Sequence, residues 1–74
     1  MAAVLHLLTA DLSPLAVEAI ERQLAAGDRV SLAMLEGAPR PGRLEGVTVH
    51  RVPEELGYAD LLDRIFAADQ VIAW

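Results

Sequence analysis

The residues able to do chemistry are few. The chain has two histidines, His6 and His50, eleven Asp and Glu, and no cysteine. Without cysteine there is no thiolate nucleophile, no disulfide and no sulfur ligand for a metal. Glu54–Glu55 and Asp60/Asp63 are carboxylate pairs. Acid–base catalysis needs two carboxyls whose pKa values are pushed apart in a cleft. Asp60 and Asp63 have the spacing of a solvated helix face instead. Ser13 and Ser31 lack a G-x-S-x-G elbow, and no acid–histidine–serine arrangement can be assembled around them. His6 lies inside the apolar run AVLHLL, where a histidine reads as a hydrogen-bonded core residue. His50, in VTVHRV, reads as exposed. Neither belongs to an HxH or HExxH spacing, so no metal site is expected. Arg40 and Arg43 fall in GAPRPGRLEG and read as loop charges, with an anion or an acidic protein surface as the functional alternative. The expectation is therefore no catalytic residue, no metal and no cofactor.

Bulk properties narrow the classes further. At 74 residues the chain makes one domain, residues 1–74, and 54% of it is hydrophobic. Roughly 45–50% is usual, and a domain this small hides only about 60% of its unfolded surface. Apolar content beyond what one small core can cover points to a partner subunit. A net charge of −5 argues against direct nucleic-acid binding, which is dominated by phosphate contacts. The opening MAAVLHLL is short and has no basic n-region, so neither a signal peptide nor a membrane span is expected. The absence of stapling disulfides favours the cytoplasm.

These residues must be positioned by a short series of elements. AVLHLLTA reads as a strand over residues 3–9, buried on both faces. SPLAVEAIERQLAAG has Ser13 as N-cap, Pro14 at the first helical position, apolar Ala16, Ile20 and Leu24, and Gly27 as terminator, which predicts a helix over 14–26. A second strand is expected over 29–35, which completes a βαβ unit with a right-handed crossover. After the Pro- and Gly-rich stretch, VTVHRV alternates Val47, Val49 and Arg51 against Thr48, His50 and Val52. Both faces carry a polar residue, as on an edge strand. A helix over 58–67 follows, with Gly57 as N-cap and an apolar stripe of Tyr58, Leu61, Leu62, Ile65 and Phe66. QVIAW is the last strand, with no charge or proline to protect it if it lies at an edge.

The order β-α-β-β-α-β predicts a small Rossmann-like, three-layer α/β sheet, mainly parallel, with strand order 3-2-1-4. An antiparallel third strand is the alternative. No helix joins the second and third strands, so part of one sheet face is expected to lack cover.

In such a sheet the ligand crevice lies at the carboxyl ends of strands 1 and 4, where the winding reverses. That places Thr9, Asp11, Ser13 and Trp74 at its mouth as candidates for a small-ligand or nucleotide site. TADLSP has none of the glycines that let backbone N–H groups approach a phosphate, and Asp11 brings negative charge to that position. The carboxylate of Trp74 is itself a candidate for the anion position at the N-terminus of the first helix. Val71, Ile72, Trp74 and Tyr58 are candidate interface residues, Tyr58 and Trp74 as aromatic anchors.

The runs VLHLLTADLSPLAVEAIERQLAAGDRVSLAMLEG, GVTVHRVPEEL and DQVIAW resemble the small DsrE/DsrF/DsrH-like sulfur-relay proteins, most of all the DsrH/TusB-like branch. The likeness covers most of the chain as an apolar pattern. It implies a three-layer α/β sheet, assembly into homo- or hetero-oligomers in the cytoplasm, and sulfur carried as a cysteine persulfide. This sequence departs at the cysteine, which it lacks, so no catalytic residue carries over. What the resemblance leaves is a structural or interaction subunit, with itself or with related sulfur-relay subunits as partner.

Overall fold

A computed structural model describes residues 2–9, 12–35 and 45–74. Six elements follow in order: β1 (Ala3–Leu8), α1 (Pro14–Ala25), β2 (Arg29–Met34), β3 (Val47–Arg51), α2 (Tyr58–Ala67) and β4 (Gln70–Ala73). The strands form one sheet in the order β3-β2-β1-β4. All three pairings are parallel, with Leu5 beside Ser31 and Val71, and Leu32 beside Val49. The third strand is therefore parallel, and the antiparallel alternative does not occur.

Local signals account for the helix ends. Ser13 sits in extended backbone, and its hydroxyl accepts the Ala16 N–H at 3.1 Å. Pro14 follows at the first turn, where its missing N–H leaves nothing unsatisfied. At the other end Gly27 has φ +86. That left-handed residue lets Gly27 N–H reach Leu24 O and Asp28 N–H reach Gln23 O, both at 3.0 Å, closing the last carbonyls of α1. α2 starts from Gly57 with no side-chain cap and carries Asp60 in its first turn and Arg64 in its last, each complementing the helix dipole.

Alternation along the strands divides the core in two. On one face Leu8, Val30, Leu32 and Met34 pack with Ile20 of α1, and Val47 and Val49 join them. On the other, Leu5 and Ala33 pack with Val52, Leu56 and Leu61 of α2 and its approach, joined by Ile65 and Ala68. The helices thus cover opposite faces, as two right-handed crossovers wound outward from β1 require. β1 is the most enclosed strand, with Val4, Leu5, His6 and Leu8 all buried.

Two sequence expectations change here. Of the five-residue stripe on α2, only Leu61 is buried and Ile65 half-buried; Tyr58, Leu62 and Phe66 stand exposed. The stripe is wider than the sheet beneath it can cover, because α2 packs chiefly against β1 and β1 has only a four-residue edge strand beyond it. His50 is not an exposed edge residue. It is half-buried, and its Nε2 is shielded from solvent with no hydrogen-bond partner among the described residues. Its side chain falls on the α2 face beside Ala33, where Val52 and Leu56 close over the sheet.

Candidate functional site

The exit of β1 and the end of β4 meet, as the topology demands. Trp74 N–H donates to Leu7 O at 2.9 Å, and the Thr9 hydroxyl donates to the main-chain oxygen of Trp74 at 3.2 Å. Thr9 and Trp74 therefore lie together at the crevice mouth, and Ser13 caps the start of α1. Asp11, Arg40 and Arg43 fall outside the described residues. The polar groups gathered here bond to one another: Thr9 to Trp74, and Ser13 to the first turn of its own helix. In addition, the Val17 N–H is taken by Ser13 O at 3.0 Å.

Trp74 has a second attachment. Its indole Nε1–H donates to His6 Nδ1 at 2.8 Å. The other imidazole nitrogen, Nε2, lies 2.7 Å from Gln23 Oε1 on α1. Indole is a donor only, so Nδ1 must offer a lone pair. The Nε2–H then donates to Gln23, which fixes a neutral imidazole in one tautomer. The two ring planes are 11° apart with centroids separated by 6.1 Å, the geometry of a nearly in-plane hydrogen bond. His6 has no solvent exposure and both nitrogens are engaged, so it is a tie between β4, β1 and α1. It has no lone pair free for a metal or a substrate proton. Among the described residues no group of three or more His, Asp or Glu is placed to hold a metal ion.

The paired carboxylates have local employment too. Glu55 accepts the Arg51 N–H at 2.9 Å, and Glu54 lies 3.7 Å from Arg51 Nε in an exposed ion pair. Both tie the turn between β3 and α2. Asp60 and Asp63 are exposed on α2. Ser31 and Arg64 flank a depression of about 140 Å³ between the starts of β1 and β2 and the end of α2. Ligand pockets usually run from about 300 Å³ upward, so this one is too small for a nucleotide. Near it, burial first and the Arg64 guanidinium second hold His50 below the ordinary histidine value of 6.5, with Glu55 opposing.

The feature that remains is a surface. Six large hydrophobic side chains are exposed among the described residues: Leu15, Tyr58, Leu62, Phe66, Val71 and Trp74. All six lie on the β4 side. On α1, Gln23 reaches His6 while Leu24 lies 3.5 Å from the position a Cβ on Gly46 would take, just before β3. The flank that carries Gln23, Ala19 and Leu15 therefore overhangs β4, and an open depression lies along it. On α2, Arg64 and Ala67 border Ser31 of β2. Helical geometry puts Tyr58, Leu62 and Phe66 on the opposite flank, over β4. Val71 points to the α2 face beside Leu5, and Ile72 and Trp74 point to the α1 face beside His6. The other edge, β3, carries Thr48, His50 and Arg51 instead.

The structure thus brings Trp74, Val71, Ile72 and Tyr58 onto one side of the molecule, with Thr9 bonded to Trp74 at its upper end. Sequence reasoning set Leu62 and Phe66 on a core-facing stripe and did not single out Leu15 or Gln23. Their role depends on how each helix is rotated about its axis over the sheet. The apolar excess in the composition was the available signal, and it has no address.

No family model matches the chain, and no curated protein or solved structure matches it. Among the described residues no helix is long and apolar enough to cross a membrane.

Proposed function

We propose that this chain is a non-catalytic interaction subunit. It associates through its β4 side, with copies of itself or with related subunits of a cytoplasmic sulfur-relay-type assembly. The observation that carries the reading is the placement of the six large hydrophobic side chains exposed among the described residues around the β4 edge, on whose outer side no described strand pairs. Scattered surface hydrophobics are ordinary, whereas a contiguous patch marks a protein interaction surface. β4 closes the sheet among the described residues, so its outer edge offers backbone N–H and C=O groups that no described strand takes up, with no charge or proline among Gln70–Ala73 to blunt it.

The sequence resemblance to DsrE/DsrH-like proteins supports the assembly context. The missing cysteine removes persulfide chemistry from this chain, so its contribution to such an assembly is to hold partners together. The crevice reading has less support, because the Thr9 hydroxyl and the Ser13 oxygen already have internal partners.

Light scattering tests the proposal. The chain is expected above its 8.0 kDa monomer mass, and Phe66→Lys is expected to return it towards that mass. A wild-type chain that stays monomeric at about 100 µM, far above the micromolar range of weak association, and whose solubility Phe66→Lys leaves unchanged, would refute it.

A further inference from the structure

We infer that the partner at the β4 edge is a second copy of this chain, paired antiparallel through β4 about a two-fold axis near Ile72. This rests on the association reading above and adds the occupant, the direction and the register.

The backbone decides which groups are free. Trp74 N–H bonds to Leu7 O of β1. The period of two along a strand then turns Ile72 inward as well, and leaves the N–H and C=O of Val71 and Ala73 facing outward. An antiparallel partner centred on Ile72 sets Val71 opposite Ala73 of the other copy. Each such pair exchanges two bonds, giving about four in all, and every outward group of the strand centre is used. A centre on Val71 would leave Ala73 without its counterpart.

The flanking surfaces match under the same symmetry. A two-fold axis perpendicular to the sheet keeps each face with itself. Ile72 meets its own copy on the α1 side, with Leu15 and Trp74 flanking it, and Val71 meets Ala73 of the other copy on the α2 side, with Leu62 and Phe66 flanking them. Apolar surface therefore faces apolar surface on both layers, which an edge flanked on one face alone would not allow. The charge pattern is self-complementary. Glu18 and Arg22 line the α1 flank, bonded to each other at 2.7 Å in an exposed ion pair. With the two α1 helices antiparallel across the axis, Glu18 of one copy looks towards Arg22 of the other. The two four-stranded sheets become one continuous sheet, and each unprotected β4 edge disappears.

Three variants test this. The chain has no cysteine, so Ile72→Cys introduces a single thiol. In a non-hydrogen-bonded antiparallel pair the two Cα atoms are about 4.5 Å apart, within disulfide range. Mild oxidation is expected to give a covalent dimer with Ile72→Cys and none with Thr48→Cys on the β3 edge. Ala73→Pro removes an outward N–H without touching the β1 ladder, a substitution edge strands accept, and is expected to weaken association at least about tenfold. Val71→Lys, at an exposed side chain, is expected to do the same, and far-UV circular dichroism checks that both variants stay folded. A dimer that Phe66→Lys dissociates, but that neither cross-links at 72 nor responds to Ala73→Pro and Val71→Lys, overturns the strand pairing and leaves the association reading standing. A wild-type chain that is monomeric by light scattering overturns the self-pairing outright.

Discussion

His6 is the residue whose surroundings say most. A histidine in the centre of a buried parallel strand needs a partner for each nitrogen, since an unsatisfied buried polar group destabilises by about 1–3 kcal/mol. Gln23 and Trp74 supply one each. Trp74→Phe keeps an aromatic ring but removes the donor together with part of the indole surface. It is expected to destabilise by about 1–3 kcal/mol in urea unfolding. Because the hydrogen bond joins two groups directly, a His6→Phe/Trp74→Phe double-mutant cycle should show a coupling of at least about 0.5 kcal/mol; strict additivity would remove the tie. His50 behaves differently. Its folded pKa is depressed by burial and by Arg64, so the unfolded chain takes up a proton first as the pH falls through 6.5. Stability is therefore expected to fall from about pH 7 towards acid and His50→Gln to flatten that slope, measured by urea midpoints across the range. An unchanged slope in the variant would assign the dependence elsewhere. The contrast between the histidines was only partly legible. AVLHLL marked His6 as a core residue, but VTVHRV marked His50 as exposed, because alternation says which face a residue takes and not what closes over that face.

Among the elements, the helix boundaries follow from a few residues, and single changes should move them. Ser13→Ala removes the hydroxyl that accepts Ala16 N–H and is expected to cost about 1 kcal/mol. Gly27, with φ +86 and open space at its Cβ position, is expected to lose about 1 kcal/mol on substitution by alanine through backbone strain alone. α2 supplies the sharper comparison. Leu61 and Leu62 are neighbours in the same predicted stripe, yet one is 7% exposed and the other 53%. Leu61→Ala is expected to destabilise by about 2–4 kcal/mol, whereas Leu62→Ala should shift the unfolding free energy of the isolated chain by under about 0.5 kcal/mol. Equal effects at the two positions would mean that α2 is rotated. Periodicity identified the stripe, but a stripe broader than the sheet under it has a surplus flank, and only packing chooses which flank that is.

For the whole molecule, the distribution of apolar surface matters more than its amount. The β3 edge carries polar and charged side chains, and the β4 edge is uncharged and flanked by hydrophobics on both faces. A monomer with such an asymmetry would have one aggregation-prone side. Charged substitution there should lower association and leave folding intact, so Val71→Lys is expected to shift the light-scattering mass without moving the thermal midpoint at dilution. A matching loss of the folded state would instead make Val71 part of the monomer core. The same asymmetry explains why composition alone pointed to a partner without locating it.

The amino-acid sequence by itself determined the order of elements, the helix caps, the strand faces and, through the crossover rule, the sheet order β3-β2-β1-β4. These follow from local chemistry: proline and glycine punctuation, period-two and period-3.6 patterns, and the handedness of L-amino-acid backbone. Only the tertiary structure decided that Trp74 reaches His6, that Gln23 completes that tie, and that six exposed hydrophobic residues from three separate segments share one side. Each of those depends on the rotation of a helix over the sheet or on the register of strands far apart in sequence. Such quantities are set by how many side chains compete for the same buried area, which no short stretch of sequence contains.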